Sequence, residues 1–174
     1  YFKSAKYKSL VNSKGVILGE KFHYDIIRPG ISLYGGHYNT ELKKIIKPII
    51  KLKARVLQIK NLEKNEYIGY NQTYKTVKST TIAILGIGYA DGISRKLSNK
   101  GKVFYKKKKF NIIGRVSMDS TTIDITKYKT IIKKGIYMEL INHEYDIEIM
   151  AKECDTISNE ILTSISNRVK RRYI

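Results

Sequence analysis

The 174-residue sequence is poor in the residues that mark several classes of protein. A single cysteine, Cys154, excludes an internal disulfide and suits a reducing compartment. No apolar run approaches the roughly 18 residues of a membrane-spanning helix. The first six residues are too polar to form the apolar core of a signal peptide. We therefore expect a cytoplasmic protein without a membrane partner.

Acidic residues are also scarce: 15 Asp and Glu stand against 34 Lys and Arg, which gives a net charge of +19. A nucleic-acid binder can carry such a charge, but it normally gathers its basic residues on one face. Here lysine is spread through nearly every segment, and the two clusters, Lys106–Lys109 and Arg168–Arg172, are short. Lys, Ile, Asn and Tyr all have A/T-rich codons, so a skewed genome explains the charge. We expect no nucleic-acid partner; a basic β-domain that binds nucleic acid or a protein is the alternative function.

The remaining composition is ordinary for a folded domain, with 42% apolar and 28% charged residues. Residues 1–44 repeat a strand, a polar residue at the strand end and a loop. This order is typical of a parallel α/β structure with sites at its strand ends. From residue 45 onward, short strands follow one another at close spacing, which predicts a β-domain. The expected domains are therefore residues 1–44 and 45–174.

Short turns separate the predicted strands of the second domain. These strands are Lys53–Lys60, Thr81–Leu85, Val103–Tyr105, Phe110–Ile113, Thr122–Thr126 and Ile136–Ile141. The lysine run Lys106–Lys109 is predicted to form a solvated hairpin turn. Apolar residues at helical spacing predict that the last thirty or so residues are helical; they are Ile161, Leu162, Ile165 and Val169.

Two strand ends in the first domain carry residues that can hold an anion. Ser13 follows a predicted strand, where a hydroxyl and the next backbone N–H groups can donate to a phosphate. Arg28 ends the following strand and precedes Pro29 and Gly30, so a rigid cation stands beside backbone that a ligand can approach. The alternatives are a turn cap for Ser13 and a surface ion pair for Arg28.

The stretch 67–92 holds two tyrosines at junctions between loops and strands. Tyr70 follows Gly69 in a loop, and Tyr89 lies in a turn just beyond the strand that starts at Thr81. Side chains at such junctions can be held rigidly and still reach a ligand. The alternative is that both are amphipathic surface residues in a chain with 14 tyrosines.

Five short motifs occur in a fixed order along the chain. They are Asn12-Ser13, Arg28–Gly35, Ile68–Tyr70, Gly88–Gly92 and Gly114–Asp119. In this order and spacing they resemble the C-terminal half of alanine racemase, a pyridoxal-phosphate enzyme. The resemblance extends from about Leu10 to Ile174. Each motif alone is weak evidence for this family, whereas the five motifs in this order are specific evidence for it.

The resemblance implies an α/β plus all-β fold, with the final strands of a (β/α)8 barrel followed by a C-terminal β-domain with terminal helices. It implies pyridoxal 5'-phosphate as cofactor, interconversion of L-alanine and D-alanine for peptidoglycan synthesis, and a homodimer. Each active site would lie between one subunit's barrel and the other's β-domain. The family's Schiff-base lysine is expected upstream of Tyr1, since no lysine here matches its motif. We therefore expect this chain alone to be inactive.

Residue roles follow from the same resemblance. Tyr70 matches the base that acts on L-alanine from the partner subunit. Met118 matches a substrate-contacting position supplied in trans, and Tyr89 matches an aromatic residue that narrows the active-site entrance. Arg28 matches the arginine that faces the pyridine nitrogen of the cofactor. The positions that match the phosphate-binding residues are Ser13, Gly30 and Ile31.

Two features depart from the family pattern. Asn167 stands where some members carry a phosphate-binding tyrosine before an Arg-Val motif, so that contact is weakened or supplied otherwise. The lysine run Lys106–Lys109 replaces the usual hairpin turn. Asp91 is expected to hold its own turn rather than to touch substrate, and no metal site is expected. Within the family, the alternative is a racemase whose substrate is serine, lysine or another amino acid.

Overall fold

The computed structural model describes residues 4–37 and 39–173, and it divides into two compact units, Tyr1–Ile50 and Lys51–Ile174. The first three residues, on which the signal-peptide expectation partly rests, lie outside the described residues. Within the described ranges, no helix has the length and apolar character needed to cross a membrane.

In the first unit, two extended segments run side by side in the same direction. The Arg28 N–H donates to the Val11 carbonyl at 2.9 Å, and the Asp25 N–H donates to the Lys8 carbonyl at 3.1 Å. The pairing amounts to one isolated parallel bridge, between Asn12 and Arg28. No longer strand forms among the described residues of this unit.

The predicted final strands of a (β/α)8 barrel are therefore not shown. Parallel strands are stable within sheets that are covered on both faces, and residues 4–37 supply only this one pair of segments. Short 3-10 helices follow, at Gly15–Leu18, Glu20–Phe22 and Ile31–Tyr34. Helix α1 (Thr40–Ile45) comes next, and its N-terminus is capped by Asn39, whose Oδ1 accepts the Leu42 N–H at 2.8 Å.

The second unit is mostly antiparallel sheet. Its strands are β1 (Leu52–Leu62), β2 (Tyr67–Ile68), β3 (Tyr74–Lys75), β4 (Thr80–Leu85), β5 (Lys102–Tyr105), β6 (Lys108–Asn111), β7 (Thr121–Asp124) and β8 (Tyr137–Ile141). Six of them form one sheet in the order β6-β5-β8-β1-β4-β7, and β2 pairs with β3. The predicted strands of the β-domain are confirmed, with ends that differ by at most two residues.

Strand β4 lies inside the sheet and leads directly to a candidate site residue. It pairs with β1 on one side and with β7 on the other. All of its residues except Ile84 are buried, as expected of a strand covered on both faces. Beyond β4 the chain enters the 3-10 helix Tyr89–Asp91. A buried strand therefore fixes the position of Tyr89.

The hairpin of β5 and β6 has a shorter turn than predicted. Lys106 and Lys107 alone form it, both with positive φ, of 46° and 62°. Lys108 and Lys109 belong to β6 instead. A two-residue turn with positive φ at both positions matches the right-handed twist of the flanking strands, which explains why the lysine run divides in this way.

Two short helices close the second unit. Helix α2 (Ile147–Glu153) is capped at its N-terminus by Asp146, whose Oδ1 accepts the N–H groups of Glu148 and Ile149 at 3.0 Å. Helix α3 (Ser158–Ser164) ends earlier than the sequence predicted, so that Ile165 and Val169 lie outside it. The reason is a competing contact: the Ser166 N–H donates to the Asp91 carbonyl at 3.2 Å.

Candidate active site

The Ser13 hydroxyl lies at the start of the 3-10 helix Ile31–Tyr34. Its oxygen accepts the Gly30 N–H at 2.7 Å and the Ser32 N–H at 3.4 Å. Two accepted bonds occupy both lone pairs of the hydroxyl, so its own proton is left for donation to an anion. Ser13 is buried, which restricts its direction. The structure thus brings the predicted residues Ser13 and Gly30 together.

Ser32 adds a second hydroxyl at this place, which the sequence analysis missed. Its Oγ is buried and has no hydrogen-bond partner among the described residues. Such a group costs about 1–3 kcal/mol unless a ligand or water satisfies it. Ile31 begins the same 3-10 helix, so its N–H lacks an intrahelical partner. The Ser13 and Ser32 hydroxyls and the Ile31 N–H form the donor cluster of the first unit.

Two of the three guanidinium nitrogens of Arg28 donate hydrogen bonds within the first unit. Its Nε donates to the Ser9 Oγ at 3.0 Å, and its Nη2 donates to the Leu10 carbonyl at 3.1 Å. The side chain is exposed within this chain, and its Nη1 makes no hydrogen bond to the described residues. The two contacts orient the guanidinium, and its remaining donors are available to a ligand.

Two glycines bring the loop of Tyr70 against a second loop. Gly69 has a φ of 75°, and a Cβ on it would lie 3.0 Å from the Arg115 nitrogen. Gly114 has a φ of 74°, and a Cβ there would lie 2.9 Å from the Ile68 carbonyl oxygen. Tyr70 follows Gly69 and is 68% exposed. The predicted glycine-hinged loop that presents Tyr70 is confirmed, while the catalytic role of Tyr70 stays a prediction.

Asn99 connects this loop to its neighbour. Its Oδ1 accepts the Gly114 N–H at 2.6 Å, and its Nδ2 lies 3.4 Å from the Thr73 Oγ1. Asn71 and Gln72, which lie between Tyr70 and Thr73, have positive φ values of 59° and 50°. Non-glycine residues in this region store strain and persist only where surrounding contacts hold them. Asn99 is one such contact.

Backbone hydrogen bonds bring Tyr89 and Met118 together. The Tyr89 N–H donates to the Ser117 carbonyl at 2.9 Å, and the Ala90 N–H donates to the Met118 carbonyl at 3.0 Å. Gly88 permits this approach, because a Cβ on it would lie 2.3 Å from both of these carbonyl oxygens. The Tyr89 and Met118 side chains are both exposed. The two residues predicted to face substrate therefore lie on adjoining turns.

Arg168 forms ion pairs with both of these turns. Its Nε lies 3.3 Å from the Asp91 Oδ1, and its Nη2 donates to the Asp119 Oδ1 at 2.6 Å. The pKa of Arg168 is raised above its usual value, first by the hydrogen bond to Asp119 and then by the charge of Asp91. Asp91 also accepts the Gly88 N–H at 2.9 Å, which confirms that it holds its own turn.

Asn167 is exposed, and its Oδ1 accepts a hydrogen bond from the Arg171 Nη1 at 3.4 Å. The predicted site residues thus form two groups: Ser13, Arg28, Gly30 and Ile31 belong to the first unit, and Tyr70, Tyr89 and Met118 belong to the second. Among the described residues, no group of three or more His, Cys, Asp or Glu side chains is arranged to hold a metal ion.

Comparison with known proteins identifies the family. The family described as alanine racemase, C-terminal domain, matches residues 49–173. The alanine racemase of Brucella ovis is 41% identical over 180 residues, which cover 95% of this chain and 46% of that protein. The alanine racemase of Rickettsia akari is also 41% identical, over 100% of this chain and 47% of that protein.

A solved structure agrees with this match. The crystal structure of alanine racemase from Bartonella henselae, with covalently bound pyridoxal phosphate, has a TM-score of 0.88 to this chain at 40% identity. The similarity covers 97% of this chain and 47% of that one. The chain therefore belongs to the alanine racemase family, and the resemblance inferred from its motifs is confirmed. It spans less than half the length of each of these relatives.

Proposed function

We propose that this chain supplies the C-terminal part of a pyridoxal-phosphate-dependent alanine racemase. The enzyme would interconvert L-alanine and D-alanine in the cytoplasm and provide D-alanine for peptidoglycan. The observation that carries the proposal is the exposed Tyr70 phenol on a loop fixed by Gly69, Gly114 and Asn99, in a chain of this family. Residues 1–44 would form the end of the (β/α)8 barrel, and residues 45–174 would form the β-domain.

The donor cluster of the first unit fits the cofactor. The phosphate would be held by the Ser13 and Ser32 hydroxyls, the Ile31 N–H and the backbone at Gly30. The buried Ser32 hydroxyl would then gain the hydrogen-bond partner that it lacks among the described residues. Arg28 would face the pyridine nitrogen; because a guanidinium only donates hydrogen bonds and stays charged, that nitrogen would carry no proton. When bound, the cofactor makes the Cα–H of an amino acid acidic by delocalising the electron pair left behind.

Racemisation needs proton transfer on both faces of the substrate Cα. Tyr70 would take the proton from L-alanine and would return one in the reverse direction. A lysine expected in the part of the relatives that this chain does not cover would serve the opposite face. Met118 would contact the substrate, and Tyr89 would narrow the entrance. We therefore expect the isolated chain to racemise nothing.

The proposal includes a homodimer. Tyr70, Tyr89 and Met118 of one subunit would complete a site whose cofactor is held by Ser13 and Arg28 of the other. The two groups of residues belong to different compact units, which is compatible with each subunit supplying one group to each shared site. Alanine would be the small-molecule partner.

The test joins this chain to the upstream half of a full-length relative and measures conversion of both alanine enantiomers. Tyr70→Phe keeps the aromatic volume and removes only the proton-transfer group. We expect the rate to fall by about 10²–10⁴-fold in both directions, because a positioned acid–base group is lost. Exchange of the D-alanine Cα hydrogen with solvent should survive better, since the lysine serves that face.

Tyr67→Phe is the matched control, because Tyr67 is an exposed tyrosine three residues away and should be dispensable. If Tyr70→Phe racemises normally and Tyr89→Phe is inactive, the roles of the two tyrosines are exchanged. A joined protein that racemises serine or lysine but not alanine would change the substrate. Salt-sensitive binding of random DNA, without any response to pyridoxal phosphate, would favour the basic β-domain as the function.

A further inference from the structure

Arg168 is the cation shared by the two turns that carry Tyr89 and Met118. Asp91 is the last residue of the 3-10 helix Tyr89–Asp91, and Asp119 directly follows Met118. Each carboxylate contacts a different nitrogen of the guanidinium. Arginine suits this role because its donors form a rigid planar fork, whereas lysine offers a single charged centre.

Apart from Arg168, Asp91 has more contacts that hold it in place than Asp119 has. Asp91 is buried, its Oδ2 accepts the Gly88 N–H, and its carbonyl accepts the Ser166 N–H. The Asp119 side chain is 60% exposed, and the described residues give it no other ion pair. Arg168 therefore anchors the turn of Asp119 to the more rigid turn of Asp91.

We propose that Arg168 is a positioning residue that sets the gap between the Tyr89 and Met118 side chains. Through that gap it would determine how large a substituent on the substrate Cα the site accepts. This inference rests on the proposed function. Backbone hydrogen bonds join the Ser117 and Met118 carbonyls to the turn of Tyr89, but they leave the Met118 side chain exposed and flexible. Arg168 holds Asp119, the next residue, and so restrains the part of the turn that directs the Met118 side chain.

The anchor can be tested in the 174-residue chain by NMR of methionine methyl groups. The chain has three methionines, of which Met138 and Met150 are buried and report on the fold, while Met118 reports on the turn. We expect Arg168→Gln to shift the Met118 methyl resonance and to leave the other two unchanged. The Met118→Leu spectrum assigns the resonance.

The matched control is Arg172→Gln, which removes the same charge from an exposed arginine four residues away and should shift none of the three resonances. An unchanged Met118 resonance in Arg168→Gln would overturn the proposal. If all three resonances shift, Arg168→Lys decides, because it keeps the charge but cannot bridge both carboxylates in the same way. A change confined to Met118 then supports the proposal, and any other result overturns it.

The consequence for specificity is tested in the joined enzyme with alanine and with 2-aminobutyrate, which is one methylene longer. We expect Arg168→Gln to reduce the preference for alanine in kcat/KM by about tenfold, the low end of what one methylene supports. Arg172→Gln should keep the preference. An unchanged preference despite a shifted Met118 resonance would overturn the specificity claim. Absence of alanine racemisation in the unaltered joined protein would instead refute the proposed function, and the NMR result would stand separately.

Discussion

Single polar side chains fix the candidate site by reaching backbone or carboxylates far away in sequence. The Ser13 oxygen accepts N–H groups 17 and 19 residues further along the chain, and the Asn99 oxygen accepts one 15 residues further. Arg168 reaches Asp119 across 49 residues. The contacts of Asn99 and Arg168 help to hold the loops that present Tyr70 and Met118, and the contacts of Ser13 hold the start of the 3-10 helix Ile31–Tyr34.

Asn99 allows the most direct test at this scale. Asn99→Gly keeps the positive φ of 60° without strain but removes the side chain. We expect it to lower the hydrogen-exchange protection of the Gly114 amide, because the bond from that buried N–H is lost, at a cost of about 1–3 kcal/mol. Hydrogen exchange of the 174-residue chain measures the effect.

Asn99→Asp is the matched control for this prediction. It keeps an oxygen acceptor for Gly114 but loses the amino group that faces Thr73. Protection of Gly114 should therefore persist, while the loop of residues 69–73 exchanges faster. Equal protection of Gly114 in Asn99→Gly and in the unaltered chain would show that Asn99 does not anchor the loop.

Sequence motifs predicted the neighbouring placement of Ser13 and Gly30, yet Ser32, Asn99 and Arg168 were missed. Arg168 lies in a basic run, and charge alone does not indicate which arginine meets two carboxylates. Asn99 has no local signal, because the amide that it accepts belongs to a distant loop. Ser32 is singled out by a buried Oγ without a hydrogen-bond partner, and such burial exists only in the folded state.

At the scale of elements, the turn of Lys106 and Lys107 adopts a conformation that side chains with a Cβ disfavour. We expect the replacement of Lys106 by Asn and of Lys107 by Gly to raise the free energy of unfolding by about 1 kcal/mol, because these residues tolerate positive φ. Urea titration measures the change. The matched control replaces both lysines by Ala, which removes the same charges without relieving the backbone and should give no gain.

The contact between Tyr145 and helix α2 makes stability depend on alkaline pH. The Tyr145 hydroxyl donates to the Glu153 carboxylate, and its ring packs on Phe104 with centroids 5.6 Å apart. Burial, and then the hydrogen bond to Glu153, raise the pKa of Tyr145. The folded state therefore holds the phenol proton more tightly than the unfolded chain, in which tyrosine titrates near pH 10.

It follows that the stabilisation from Tyr145 is complete below about pH 10 and is lost as the pH rises further, by at most about 1.4 kcal/mol per pH unit. Tyr145→Phe should reduce this slope, whereas Tyr173→Phe, at a tyrosine that is 93% exposed, should not. Urea titrations between pH 8 and about 11 compare the slopes. Equal slopes in all three proteins would contradict the prediction.

Patterning predicted the elements of the β-domain well, because β1 alternates over residues 52–56 and β4 contains the apolar run 82–85, as their positions in the sheet require. It failed where tertiary contacts compete with local periodicity. The apolar spacing of Ile165 and Val169 continues the pattern of α3, but the Asp91 carbonyl takes the Ser166 N–H and the helix ends. A periodic pattern carries no information about such a competitor.

For the molecule as a whole, the two units differ in how much apolar surface they bury. Among the described residues of the first unit, only Val11, Ile31 and Leu42 are buried apolar side chains. Among the same described residues, eleven large apolar side chains are exposed, including Leu10, Ile17 and Leu18. The second unit holds the remaining buried apolar residues around its sheet. Most of the stability should therefore reside in Lys51–Ile174.

We accordingly expect the isolated segment Lys51–Ile174 to unfold cooperatively, with nearly the same urea midpoint as the whole chain. Circular dichroism during urea titration measures both midpoints. The control deletes residues 147–174, which removes the buried Ile147, Met150 and Ile161 and should lower the midpoint sharply. A much lower midpoint for Lys51–Ile174 would show that the first unit stabilises the second.

The small core of Tyr1–Ile50 also matters during synthesis. The ribosome releases this unit before Lys51–Ile174, so of the two units the one that buries fewer apolar side chains emerges earlier. A nascent chain in this condition is prone to aggregation and is a natural client for chaperones that bind extended apolar segments. Along this chain, the less stable unit is therefore synthesised before the more stable one.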